Sequence, residues 1–202
     1  MCSTKKDFKW LIAQLIVKPF KRFPYFGRTR FWILYWAYRL TGWHIRSKEW
    51  DFVLEYLPKL GRWQDATLLD IGCSRNLLCY EIKARGYYLC GIDLEEPGFK
   101  YPARFIKYDI TKGFPYHSCD FVTCISVLEH IEDRKNAVHN MGRCLTPGGR
   151  LLITIPTKEF AQGHEWEGFT YTSFKGLLPS YMNIIEYTER AGQLCMAIER
   201  VA

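Results

Sequence analysis

The sequence of 202 residues lacks several features that would have settled its class at once. Its eight cysteines include no Cys-x-x-Cys pair, so they contain neither a zinc ribbon nor a dithiol redox motif. Several fall inside apolar, strand-like runs and read as small buried hydrophobes in a reducing compartment. No small-residue cleavage site follows the basic N-terminus, as a secretory leader would require. Its apolar runs "WLIAQLIV" and "FWILYWAY" have eight residues each, well short of the roughly 20 that span a bilayer. These omissions predict a cytoplasmic protein without a transmembrane helix.

Acidic residues are scarce in the first quarter. Residues 1–50 hold eleven Lys/Arg against Asp7 and Glu49, a charge of +9, whereas the rest carries 17 basic and 19 acidic side chains, or −2. The whole excess of +7 is therefore N-terminal. The same stretch has 13 of the 33 aromatics. Phe8, Leu11, Ile12, Leu15 and Ile16 fall on one face of a predicted helix that stops near Pro19, and "RTRFWILYWAYRLTG" predicts a second, ending near Gly42. A basic, aromatic amphipathic segment suits an anionic membrane surface, on the inner face of the membrane. A lid over the pocket ranks second, and a nucleic-acid arm third, because these runs are more apolar than a solvated nucleic-acid face. The expected division is residues 1–48 as a helical extension and 49–202 as the main domain.

From Ala66 onward, short β-type runs alternate with helical patterns, which predicts a parallel sheet with crossover helices. The strands are "ATLLDI", "YYLCGID", "RFIKYDI", "DFVTCIS" and "RLLITIP"; "NLLCYEIKAR", "RKNAVHNMGRCL" and "TSFKGLLP" read as helices, "TPGG" as a turn, and "MNIIEYTER" with "QLCMAIERV" as a hairpin around Ala191 and Gly192. Such sheets bind ligands beyond the carboxyl ends of their strands, which singles out Asp70, Gly72, Asp93, Asp109 and Ser126.

Two glycines are missing where a dinucleotide loop would need them. "LLDIGCSRN" has Gly72 but places Ser74 and Asn76 at the later positions of a G-x-G-x-x-G pattern, so a pyrophosphate could not approach the backbone as that pattern allows. A ligand without phosphates needs less room there. Asp93, 21 residues after Gly72, is placed to accept from both hydroxyls of a ribose or to cap the next turn; Asp109 is placed to accept from an adenine amine or to cap the turn before "TKGFP".

Taken in order, "ATLLDIGCSRNLL", "GYYLCGIDLEE", "FIKYDIT", "DFVTCISVLEHIED" and "LTPGGRLLITIP" resemble the successive motifs of class I S-adenosylmethionine-dependent methyltransferases of the small-molecule type, over about residues 50–200. The resemblance implies an α/β, Rossmann-like sheet of seven strands, mostly parallel, with helices on both faces and an antiparallel C-terminal strand. It implies S-adenosylmethionine as cofactor. By position it assigns Asp70, Gly72 and Cys73, with Ser74 and Asn76 of the loop, to the methionine end; Asp93, with Leu94 beside it, to the ribose; Asp109 and Ile110 to the adenine; and Ser126 and Val127 to the methionine moiety and the incoming acceptor.

Methyl transfer to a hydroxyl needs in-line positioning and removal of a proton. His130 and His164 are the candidates for that base, though His130 also reads as a structural histidine of the "LEH" pattern. Some ubiquinone-pathway O-methyltransferases resemble the chain at "VLEH" and hold a divalent metal there. Here Glu129 and His130 match but Ser126 replaces a carboxylate, so no required metal is expected. "CISVLEH" also lacks the Asn/Asp-Pro-Pro-aromatic signature of base amino-methylation, which disfavours nucleic-acid bases as acceptors. The expected activity is methylation of an oxygen on a small-molecule, lipid-linked or glycan acceptor; the alternatives are a methyltransferase-fold scaffold that has lost its cofactor and an RNA methyltransferase using the basic arm.

Overall fold

The computed structural model describes residues 45–57, 65–75, 77–97, 100–113, 118–162 and 167–201. The two N-terminal helices, Asn76 and His164 lie outside the described residues.

The first described element, α1 (Ile45–Tyr56), places Glu49, Trp50, Val53 and Leu54 at helical spacing, with Leu57 just beyond. All five are buried along with Phe52, and the apolar side chains stabilise the docked helix by roughly 1.5–3 kcal/mol each. Lys48 and Glu55 face solvent. This helix runs through positions 48 and 49 and packs against the sheet.

The sheet comprises β1 (Thr67–Ile71), β2 (Tyr88–Asp93), β3 (Arg104–Lys107), β4 (Cys119–Ile125), β5 (Leu145–Pro156), β6 (Met182–Arg190) and β7 (Gln193–Arg200). Their spatial order is β3-β2-β1-β4-β5-β7-β6. The pairs from β3 across to β5 are parallel, and β7 runs antiparallel to both β5 and β6. The order reverses between β1 and β4, which is where a sheet of this kind opens a crevice.

Period-two alternation divides the core. Leu68, Phe121, Leu152 and Ala197 face one side with Trp50, Leu78 and Ile82 of α1 and α2 (Leu78–Ala84). Leu69, Val122, Ile153 and Met196 face the other, under α3 (Arg134–Cys144) and α5 (Tyr171–Lys175); a one-turn α4 (Lys158–Ala161) follows β5. Asp133 caps α3 by accepting from the Asn136 amide at 3.1 Å. The helix stops at Cys144, and Leu145 is already extended, so it starts β5 instead of closing the helix.

"TPGG" differs from a plain turn. Leu145 pairs with Cys119 and Arg150 with Phe121, so residues 146–149 loop out within β5, with Gly148 at φ +77°. The hairpin forms as expected: Ala191 at φ 51° and Gly192 at φ 78° join β6 to β7. On β6, Ile184 pairs with Ile198 and Glu186 with Ala197, leaving Ile185 as an extra residue. No helix among the described residues is long and apolar enough to cross a membrane.

Candidate active site

The carboxyl ends of β1 to β4 open onto one cavity of about 590 Å³, within the range of small-molecule sites. Gly72 shapes its floor. Its φ of +73° favours glycine, and its amide donates to the Ile92 carbonyl at 2.9 Å, joining the loop after β1 to β2.

The Asp93 carboxylate extends that junction. Oδ2 accepts from the Ser74 amide at 2.9 Å and Oδ1 from the Glu95 amide at 3.0 Å. Each oxygen keeps a further lone-pair direction for a ligand hydroxyl, so the turn-capping role and the cavity-facing role coexist. Asp109 behaves similarly. Its Oδ1 accepts from the amide and hydroxyl of Thr111, at 3.0 and 2.7 Å, capping the 3-10 turn Ile110–Lys112. Those bonds hold its carboxyl below the usual carboxylate range. The turn is anchored from α3, where Asn140 Nδ2 donates to the carbonyls of Ile110 at 2.8 Å and Thr111 at 3.1 Å.

Of the residues expected at the site, the cavity is lined by Gly72, Ser74, Asp93, Leu94, Asp109, Ile110, Ser126, Val127 and His130. Leu94 is 62% exposed and sits on the rim. Asp70 and Cys73 do not reach the cavity. Asp70 is fully buried beneath it, accepting from Thr123 Oγ1 at 2.8 Å and from Tyr101 Oη at 3.2 Å, and burial pushes its carboxyl up to about 7. Cys73 packs in the same core, with its thiol pushed up by burial, so it offers no thiolate. Glu129 is buried and His130 is exposed, and only His130 lines the cavity.

The sequence did not point to several other participants. Tyr108, Thr111, Ile131, Glu132 and Asp133 are among those that also line the wall. Ser126 has φ 50°, and its hydroxyl donates to Glu49 of α1 at 2.5 Å. Thr154 donates to the same Glu49 oxygen at 2.6 Å. Only the third dimension brings positions 49, 126 and 154 together. The lining carries the carboxylates of Asp93, Glu95, Asp109, Glu132 and Asp133, and no Lys or Arg side chain lines it among the described residues.

The sequence profile of the methyltransferase domain matches residues 42–193, three quarters of the chain and the whole sheet up to the start of β7. The chain belongs to the methyltransferase-domain family. An uncharacterized methyltransferase of Mycobacterium tuberculosis is 30% identical over 124 residues, covering 56% of the chain and 61% of that relative. A ubiquinone biosynthesis O-methyltransferase of Idiomarina loihiensis is 31% identical over 137 residues, covering 54% and 56%. The chain thus spans at most 61% of the length of these curated relatives. In fold it is similar to the N-methyltransferase NodS of Bradyrhizobium japonicum, solved with S-adenosylhomocysteine (TM-score 0.62, 16% identity, 77% of this chain and 86% of that one). It is also similar to the [4+2]-cyclase SpnF (TM-score 0.64, 13% identity, 76% and 81%). A methyltransferase and a cyclase share this architecture, so the likeness establishes the fold and the reaction must be argued from the site.

Proposed function

We propose that the chain is an S-adenosylmethionine-dependent methyltransferase that methylates an oxygen of a small-molecule, lipid-linked or glycan acceptor at a membrane surface. The observation that carries the cofactor reading is the charge of the cavity: five lining carboxylates and no lining Lys or Arg among the described residues. A dinucleotide would bring anionic phosphates into that field. S-adenosylmethionine brings a sulfonium and an ammonium against a single carboxylate, and its bound sulfonium supplies an electrophilic methyl group with a good leaving group. Asp93 takes the ribose hydroxyls on its remaining lone pairs, Asp109 and Ile110 take the adenine edge, and the Ser74 loop closes over the methionine end. His130, which lines the cavity, accepts the acceptor's proton.

Calorimetric titration with S-adenosylmethionine and S-adenosylhomocysteine tests this reading. Micromolar binding that an Asp93→Ala variant loses supports it; a folded protein that binds neither sinks it and leaves a scaffold role.

The membrane part rests on the +9 charge and 13 aromatics of residues 1–50. The acceptor enters from the inner, cytoplasmic face, where anionic lipid concentrates. The full chain then sediments with anionic vesicles and not with neutral ones, and a chain lacking residues 1–41 does neither while still binding cofactor. Salt-sensitive RNA binding in place of vesicle binding would move the acceptor to RNA.

A further inference from the structure

Glu49 is 0% exposed, although it lies on a helix whose Lys48 neighbour faces solvent. Its buried side chain is held at one atom. Ser126 Oγ at 2.5 Å and Thr154 Oγ1 at 2.6 Å both donate to Oε1, while Oε2 has no hydrogen-bond partner among the described residues. A single oxygen of α1 therefore joins the carboxyl ends of two neighbouring strands, β4 and β5, that lie 77 and 105 residues away in sequence. The two lone pairs of a carbonyl-type oxygen suffice for two donors, so the arrangement needs no net charge on the side chain.

The conformation of Ser126 makes this bond matter for the cavity. Its φ of 50° is one that residues with a side chain seldom adopt unless surrounding contacts impose it. Two bonds impose it here: the amide donates to the Thr154 carbonyl at 3.0 Å, and the hydroxyl donates to Glu49. Val127 follows directly. Its methyls pack against Gly72 of the loop after β1, and its carbonyl accepts from the His130 amide at 3.0 Å. That bond closes the 3-10 turn Leu128–His130, whose first residue is preceded by no side-chain cap. The Asp109 turn, which lines the same cavity, has its own cap and a brace from Asn140. The His130 turn takes its bearing from Ser126 instead.

We infer that Glu49 is a positioning residue for the cavity wall formed by Ser126, Val127 and His130. Its Oε1 fixes the bend of the chain at Ser126, and that bend sets where the His130 ring stands in the cavity. The consequence for methyl transfer rests on the reading of His130 as the group that takes the acceptor's proton, since a base and its acceptor must be aligned to a fraction of an ångström. The role is geometric. A side chain with an accepting oxygen at position 49 fills it, and an apolar one does not.

Nuclear magnetic resonance of the full chain tests this, following the His130 ring signal, which is assigned by its loss in His130→Gln. Glu49→Leu removes the accepting oxygen. It should displace the His130 signal and speed hydrogen exchange at the His130 amide by about tenfold or more. Glu49→Gln keeps the oxygen and should restore both readouts. Leu54→Ala takes packing from the same helix without touching the two bonds, and it should leave the His130 signal in place. Should Glu49→Leu fail to fold, Ser126→Ala removes the same bond from its other end and carries the test with the same expected displacement. An unmoved His130 signal in a folded Glu49→Leu or Ser126→Ala protein would overturn the inference. So would a Glu49→Gln protein that behaves like Glu49→Leu, or a Leu54→Ala protein that moves the signal equally, because Glu49 would then act only by docking α1. Titration of the wild type with S-adenosylhomocysteine reads the other claim separately: no binding would sink the methyltransferase reading, while the His130 signal still decides whether Glu49 sets the wall.

Discussion

A β-carbon placed on Gly72 would fall 2.1 Å from Cγ2 of Val127, far inside van der Waals contact. Two loops, one after β1 and one after β4, meet there across the crevice. Gly72→Ala adds this clash to the strain of a positive φ. It should cost about 1–3 kcal/mol in urea unfolding and lower S-adenosylhomocysteine affinity. Val127→Ala in the same chain should recover part of the loss, because it removes the opposing methyls.

Asp70 sets a pH dependence. Its carboxyl is raised from an ordinary 3.8 to about 7, by burial first and by the nearby Asp93 charge to a smaller extent. The folded state therefore holds the proton more tightly than the unfolded state. The resulting stability is fully present below about pH 4 and is lost as pH rises through about 7. Other carboxylates contribute their own slopes, so the informative quantity is the difference between Asp70→Asn and wild type. That difference should shift in favour of the variant between pH 4.5 and 7.5 and level off above; urea midpoints across the range measure it.

Asn140 bridges α3 to the turn carrying Asp109 and Ile110, through one amide and two carbonyls. Asn140→Ala leaves both carbonyls without that donor and should cost about 1–3 kcal/mol. Cofactor affinity should fall along with it, because the cap that positions Asp109 loosens. Unchanged affinity in a destabilised protein would show that the turn holds its shape without α3.

Two positions on α1 should behave very differently. Arg190 forms a bidentate pair with Glu55 at 3.1 and 2.7 Å, yet Glu55 is more than half exposed, so Glu55→Ala should cost less than about 1 kcal/mol. Trp50, packed in the core at 2% exposure, should cost about 3–5 kcal/mol as Trp50→Ala. Thermal unfolding of both variants would show whether α1 is integral to the sheet's stability.

The strand ends were legible because they are local: an apolar run stopping at Asp93 or Ser126 marks the same place in sequence and in space. The hairpin at Ala191 and Gly192 was legible for the same reason. Asp70 read as a cavity residue because position alone cannot tell a carboxylate facing a ligand from one facing Tyr101 and Thr123, 31 and 53 residues away. Glu49 was hidden more completely. In the sequence it is one of two acids in a basic stretch, and its role exists only once β4 and β5 bring two hydroxyls to it. The "TPGG" turn was recognised by composition, but whether it came before the strand or bulged within it depended on pairing with Cys119 and Phe121.

The extra residue at Ile185 has a consequence beyond the shape of β6. Among the described residues that strand pairs only with β7, so its outer side presents backbone groups to which another chain could add. The bulge between Ile184 and Glu186 breaks the regular spacing such an addition requires, and it leaves Ile185 partly exposed with Glu186 beside it. At the opposite border, β3 offers only four residues. Among the described residues both borders of the sheet are thus poor templates for a further strand, so the geometry that shapes the sheet also disfavours edge-to-edge pairing.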